Sequence, residues 1–488
     1  MEATLKPLII KTKKNFIGRT SELERLHKIA SEKEASIIVM YGRRRIGKTE
    51  LLEQAFKDRN ILKFEGIEGL SEKAQFANVM SQLATYVKEP LLAKIVIENW
   101  REFFLLLAKY TKKGTWTIYL EELQWLANYE STLIAELKYV WDNHFRHNPN
   151  LVLILCGSAP SFMIDHVIHS KALYNRSQYE FNLKEFTPVE TKEFLKNRSN
   201  KEVFDAYLTV GGVPEYLKWI DKESSVFLSL CKNSFIPGGF FACEYDRIFT
   251  SSMSNNKHYK EIIDVLSRRK FAIRKELADI CTITSGGTLT SVLLDLEKSG
   301  FINSYHPFNL TGKTILTRHG IDDNYVQYYF KFIKPLEKHI VNGAYNQNPK
   351  SALKVDSYIK WLGFSFERFC RKYHYIIAKI LQFSGIHYQA GAFFNRTTDQ
   401  KNPGYQIDLI FDRADNVYTI CEIKYLQSKV GTGVIAEFEK KLALFPNKSN
   451  RTIHKVLICN EGADDALLRR SYFDEVITCI DLLDAKNW

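Results

Sequence analysis

Gly42-Arg43-Arg44-Arg45-Ile46-Gly47-Lys48-Thr49 sets two glycines around four residues and then ends on a lysine and a hydroxyl. The G-x-x-x-x-G-K-[ST] spacing suits phosphate. Its glycines let backbone N–H groups close around oxygens, and a following helix adds a partial positive charge. Lys48, on a solvent-facing loop, is expected to reach the β- and γ-phosphates of ATP, and Thr49 to ligate Mg²⁺. Arg43, Arg44, Arg45, Ile46 and Glu50 complete the residues expected to line the nucleotide.

Thr117-Ile-Tyr-Leu-Glu121-Glu122-Leu-Gln-Trp125 supplies the acids that such a loop requires. Glu121 is expected to hold Mg²⁺ through water, and Glu122 to polarise the attacking water. The other reading makes them surface acids opening a helix. Ser158, in Cys156-Gly-Ser158, stands where a polar side chain senses the γ-phosphate. Arg176 is assigned to the nucleotide, a neighbouring subunit or solvent.

A second set of chemistry-bearing residues lies near the other end of the chain. Asp408 is followed fourteen positions later by Glu422-Ile-Lys424. A hairpin would bring the two carboxylates together, with Glu422 and Lys424 on one face. Carboxylates at Asp408 and Glu422 can hold a divalent metal that activates water, while Lys424 stabilises charge on phosphate. Glu367, in Gly363-Phe-Ser-Phe-Glu367-Arg-Phe369, adds a third acid. The alternative is a structural ion-pair cluster without activity.

The elements that must position these groups follow from periodicity. Ala35-Ser-Ile-Ile-Val-Met-Tyr41 is a β-branched apolar run ahead of the glycine loop, and Glu50-Leu-Leu-Glu-Gln-Ala-Phe56 has helical spacing after it. Strands are expected at 61–66, 115–120 and 151–157, with a helix at 98–111. This alternation predicts a doubly wound α/β fold with a parallel sheet. Helices are expected at 189–197 and 201–209, broken by Gly211-Gly-Val-Pro214. Residues 274–280, a Ser285-Gly-Gly287 turn, 289–299 and a strand from Gly300 read as a winged helix-turn-helix. Arg274, Lys275 and Arg268-Arg-Lys270 could face phosphates in such a module. Beyond residue 350 helices are expected near 358–381, with strands at 407–411, 418–424 and 454–460. The domains are therefore expected at 1–187, 188–255, 256–345 and 346–488.

A chain of 488 residues with 45% hydrophobic and 25% charged content can bury several cores. A net charge of +12 permits an anionic partner such as nucleic acid without requiring one. The eight cysteines show no C-x-x-C pairing, which argues against structural zinc and disulfides. No apolar run approaches the roughly 20 residues of a membrane span, and no secretion signal is evident at the N-terminus. The expected location is the cytoplasm, with no membrane partner.

Phe16-Ile-Gly-Arg19-Thr-Ser-Glu-Leu-Glu-Arg-Leu26, the glycine loop, Gln124-Trp125-Leu126 and Gly212-Val-Pro214 together resemble the archaeal-type ATPases of the STAND branch of AAA+-like P-loop proteins. The resemblance implies that Phe16 and Arg19 lie near the adenine and that Pro214 belongs to a helical lid sensing the nucleotide. It also implies ATP and Mg²⁺ as cofactors. One departure stands out. The family places Asp-Glu where this chain has Glu121-Glu122, which extends the first carboxylate by about 1.5 Å, one C–C bond. Either the metal geometry relaxes or hydrolysis slows. The C-terminal residues resemble the PD-(D/E)xK nuclease core, with Asp408, Glu422, Lys424 and Glu367 at matching positions.

The leading expectation is an ATP-controlled molecular switch gating a nuclease-like domain that acts on DNA or other nucleic acid. The alternatives are a non-catalytic regulator that binds DNA or protein, and a homo-oligomeric DNA-remodelling ATPase.

Overall fold

The computed structural model describes residues 16–173, 178–251, 257–284, 286–308, 316–395, 404–448 and 450–488. Two compact units divide the chain. One takes Met1–Glu185, Ile248–Tyr259 and Gly286–Gly300; the other takes Phe186–Arg247, Lys260–Ser285 and Phe301–Trp488. Arg176 and Ser285 lie outside the described residues.

The first unit is built on five strands: β1 Ser36–Tyr41, β2 Asn60–Glu65, β3 Trp116–Glu121, β4 Leu151–Gly157 and β5 Gln178–Asn182. They form one parallel sheet in the order β2-β3-β4-β1-β5. The near-continuous apolar runs follow from burial on both faces. Ile37, Val39, Ile118, Leu120, Leu153 and Leu155 join one core, while Ile38, Met40, Tyr119, Val152, Ile154 and Cys156 join the other. Helices α1 (Thr20–Ser31) and α2 (Lys48–Phe56) cover the second face. Helices α3 (Glu72–Val87) and α4 (Trp100–Tyr110) cover the first.

β2 is an edge strand, and α3 closes it with side chains. The Lys63 N–H donates to the Tyr86 hydroxyl at 3.2 Å, and that hydroxyl donates to the Lys63 carbonyl at 2.8 Å. Gln82 and Asn78 satisfy Glu65 in the same way, at 3.0 and 2.8 Å. These bonds replace the ladder that a neighbouring strand would supply.

In the second unit, the helices Pro188–Phe194, Asn200–Val210 and Pro214–Ile220 follow one another. Gly212 marks a close backbone approach. Its carbonyl accepts from the Phe186 N–H at 2.8 Å, and a Cβ there would meet the Phe186 oxygen at 2.0 Å. Strands β6 Ala272–Ile273, β7 Ile302–Tyr305 and β8 Arg318–Ile321 form an antiparallel sheet in the order β6-β8-β7. The helix Arg274–Ile280 follows β6 in the chain.

The last sheet contains β9 Tyr388–Asn395, β10 Tyr405–Arg413, β11 Val417–Lys424, β12 Thr452–Cys459 and β13 Glu475–Thr478, ordered β13-β12-β11-β10-β9. β9, β10 and β11 are antiparallel, and β11, β12 and β13 are parallel. The helix Gly433–Leu444 connects β11 to β12. The helices expected near 358–381 are Val355–Lys372 and His374–Ile380. They separate at Tyr373, whose hydroxyl pairs with that of Tyr207 at 2.7 Å and whose ring packs on Phe369 and Trp488. No described helix is long and apolar enough to cross a membrane.

Candidate functional site

The glycine loop joins the end of β1 to α2. Gly42 has φ +150°, and a Cβ there would strike the Leu183 oxygen at 2.4 Å and Ile46 Cδ1 at 2.7 Å. Arg45 and Gly47 are left-handed, at φ 71° and 86°. This alternation turns successive N–H groups toward one concavity. Lys48 is the first residue of α2 rather than a solvent-facing loop residue, and it is only 9% exposed. Its Nζ donates to the carbonyls of Gly42 at 2.9 Å and Arg43 at 3.0 Å, which folds the side chain across the loop.

Thr49 donates its hydroxyl hydrogen to Oε1 of Glu121, leaving the threonine lone pairs free to face a cation. Tyr119 donates to the same oxygen at 2.9 Å. Lys63, on β2, pairs with Oε2. Lys63 had no place in the sequence reading, although it stands among the apolar residues of Ile61-Leu-Lys-Phe64 directly opposite Tyr119. Burial works against its charge, but Glu121 and then Glu53 and Glu65 outweigh burial and hold the ammonium above the usual lysine value. A hydroxyl and a carboxylate meeting beside an anion-cradling loop fit a hard divalent cation such as Mg²⁺.

Glu122 is left-handed, at φ 50°, and this turn carries its side chain from the end of β3 toward the end of β4. Ser158 donates to Glu122 Oε2 at 2.6 Å, and Gln124 Nε2 donates to the same oxygen at 2.7 Å. Gln124 also donates to Ser158 Oγ at 3.1 Å, while its own Oε1 is buried without a hydrogen-bond partner. Gln124 was legible only as part of a motif tail. Arg44 lies over the Trp125 ring, 5.4 Å from its centroid. Arg43, Arg45, Thr49 and Glu50 are half-buried around the loop, and Ile46 is buried.

Arg19 is a clamp on the same loop. It is 4% exposed and donates to the carbonyls of Ile46 at 3.1 Å and Lys184 at 2.6 Å. Phe16 packs on the core around α1 and α2. Pro214 opens a helix of the second unit.

In that second unit, β10 and β11 pair with Leu409 opposite Cys421, so the register places Asp408 next to Glu422. The β10–β9 register shifts between Ile407 and Ile410, an irregularity at Asp408 itself. Such bulges re-aim side chains. Asp408 accepts from the Ile423 N–H and from Gln406 Nε2, each at 3.2 Å. Burial pushes its carboxyl above the usual aspartate value, Lys441 opposes that shift and Glu367 adds to it.

Glu422 is 1% exposed and is gripped by two lysines, Lys424 at 3.1 Å and Lys441 at 2.6 Å. Lys441, from the helix Gly433–Leu444, was not foreseen. Lys424 also meets Glu437 at 2.8 Å. Glu367 pairs with Arg371 at 3.3 Å and accepts from Gln406 at 3.3 Å. Among the described residues, no three metal-binding side chains converge closely enough to hold a metal by themselves.

Arg268, Arg269, Lys270 and Lys275 are exposed, and Arg269 reaches Glu276 at 3.5 Å.

Residues 16–220 match a family model described as an ATPase domain predominantly from Archaea. The match takes in the glycine loop, the acid pair and Gly212-Val-Pro214. An uncharacterized protein of Methanocaldococcus jannaschii is 24% identical over 85% of this chain and 88% of its own length. An uncharacterized ATP-binding protein of the same organism is 41% identical over 9% of this chain and 78% of its own length. Among solved structures, a Walker-type ATPase of Pyrococcus abyssi is 19% identical, with a TM-score of 0.49 over 68% of this chain and all of that one.

Proposed function

We propose, from the premise that residues 16–220 form an archaeal-type ATPase domain, that the protein is an ATP-binding and ATP-hydrolysing switch. The observation that carries the reading is the meeting of Thr49 with Glu121 at the mouth of a loop whose Lys48 lies across it. Loop N–H groups and Lys48 bind the β- and γ-phosphates. Thr49 and Glu121 hold Mg²⁺, which when bound offsets phosphate charge as a Lewis acid. Glu122 orients the attacking water, and Ser158 reports the γ-phosphate to Glu122 through their shared hydrogen bond. Arg19 keeps the loop's shape through its bond to Ile46, and Phe16 belongs to the nucleotide's surroundings.

Residues 346–488 are read as a PD-(D/E)xK-like domain acting on nucleic acid. The helix–three strands–helix–strand order supports this, with Asp408, Glu422 and Lys424 on adjacent strands and Glu367 on the leading helix. Residues 256–345 are read as a winged helix, supported by the β6-β8-β7 order and the exposed basic run beside it. A second reading has one observation in its favour: two lysines already neutralise buried Glu422. On that reading the C-terminal domain binds without cutting, and the protein is an ATP-controlled regulator.

The test is purified protein with ATP and Mg²⁺, scoring nucleotide binding by calorimetry and phosphate release. A parallel arm uses linear and supercoiled DNA and RNA with Mg²⁺ or Mn²⁺. ATP binding without cleavage of any substrate selects the regulator; no ATP binding removes both readings.

A further inference from the structure

Glu121 carries more partners than a metal-holding acid needs. Thr49 from α2 and Tyr119 from its own strand both donate to Oε1, and Lys63 from β2 meets Oε2. A glutamate has one more rotatable bond than an aspartate. Its carboxylate therefore samples more positions unless it is pinned, and pinning must be done by neighbours. Lys63 is placed for this. Its backbone is held on both sides by the Tyr86 hydroxyl, its ammonium is 3.7 Å from Glu53 Oε1, and it stands 5.4 Å from the Tyr119 ring centroid.

We propose that Lys63 is the positioning residue that lets a glutamate serve at the metal-holding position of this site. Its ammonium takes Oε2 and thereby directs Oε1 at Thr49, the residue that would hold a cation with it. The phosphate-loop motif does not specify such a lysine. The proposal rests on the ATP-binding reading above. The contrary role is a cation that Mg²⁺ must displace. The geometry favours positioning, because Lys63 occupies the oxygen that faces away from Thr49's hydroxyl bond and leaves Oε1 to that side.

The experiment measures ATP affinity by calorimetry, with Mg²⁺ and with EDTA, for the wild type, Lys63→Met and Lys63→Arg. The gain in affinity on adding Mg²⁺ is expected to fall about tenfold in Lys63→Met, the usual scale for losing an outer partner of a metal ligand, with EDTA affinity within about twofold. Lys63→Arg should recover most of the gain. In a Glu121→Asp background, where the carboxylate is shorter and stiffer, Lys63→Met should cost less. If Lys63→Met does not melt cooperatively, Lys63→Gln takes its place in the same comparison. An unchanged Mg²⁺ gain overturns the proposal, and a larger one also overturns it by marking Lys63 as the displaced cation. Wild-type protein that binds no ATP under either condition overturns the ATPase reading itself, which separates the two failures.

Discussion

Ser158 donates its hydroxyl hydrogen to Glu122 Oε2 across 2.6 Å, tying the end of β4 to the turn that follows β3. Gln124 holds the same oxygen at 2.7 Å. The left-handed backbone at Glu122 costs about 1–3 kcal/mol for a residue with a side chain, so the surrounding bonds must keep it there. Glu122→Gln keeps the shape but removes the charge proposed to orient water. It should bind ATP as tightly as the wild type and lose single-turnover hydrolysis about a hundredfold or more. If Glu121→Gln abolishes turnover while Glu122→Gln does not, the two acids have exchanged roles.

Lys48→Ala should abolish ATP binding measured by calorimetry. Because Lys48 also bonds the Gly42 and Arg43 carbonyls, its loss removes two loop hydrogen bonds, and the melting temperature should drop modestly, by about 1–2 kcal/mol of stability. ATP should raise the melting temperature of the wild type and not that of the variant.

On the proposed nuclease reading, Asp408→Ala, Glu422→Ala and Lys424→Ala should each remove nucleic-acid cleavage and leave ATP binding intact, and the Asp408/Glu422 double variant should be little worse than either single one. Glu422 has a second consequence. Its removal leaves Lys424 and Lys441 facing each other without their shared acid, so Glu422→Ala should also destabilise the chain by about 1–3 kcal/mol in thermal melts. Lys441→Met should lower stability and, because Lys441 opposes the raised Asp408 carboxyl, push that carboxyl further up.

Burial raises the Asp408 carboxyl above its usual range. If Asp408 holds a metal as proposed, its ionised form does so, and Mn²⁺ affinity of the C-terminal site should fall as pH drops, beginning at a higher pH than for an ordinary aspartate. The effect on stability has the opposite sign. The folded state holds this proton more tightly than the unfolded one, so ionising Asp408 costs stability at neutral pH, and the cost is relieved as pH falls through the raised value. Asp408→Asn should flatten the acid limb of Mn²⁺ titrations followed by calorimetry.

The glycine loop, the β-branched strand before it and the paired acids that end another strand were legible because they are local patterns. β1, β4 and the helix Arg274–Ile280 lie where periodicity puts them. Lys63 and Lys441 were not legible, and Gln124 was legible only as part of a motif tail. The two lysines act through partners distant in the chain, and a single lysine or glutamine carries no periodic signal. β9 escaped notice because most of its residues are half-buried and Gly391 interrupts it. The break at Tyr373 has no glycine or proline to announce it; it follows from the bond to Tyr207 and the packing on Trp488.

The closure of β2 by α3 depends on three side chains, and it can therefore be lost by mutation one oxygen or amide at a time. Removing the Tyr86 hydroxyl, as in Tyr86→Phe, would strip the partner from both the N–H and the carbonyl of Lys63. Lys63 would then carry an unpaired backbone N–H and carbonyl at the open edge of β2, with Ile61, Leu62 and Phe64 in the same strand. That combination templates strand addition from other copies. The tyrosine thus guards solubility as much as folding, and the variant's first symptom should be turbidity on gentle warming rather than loss of nucleotide.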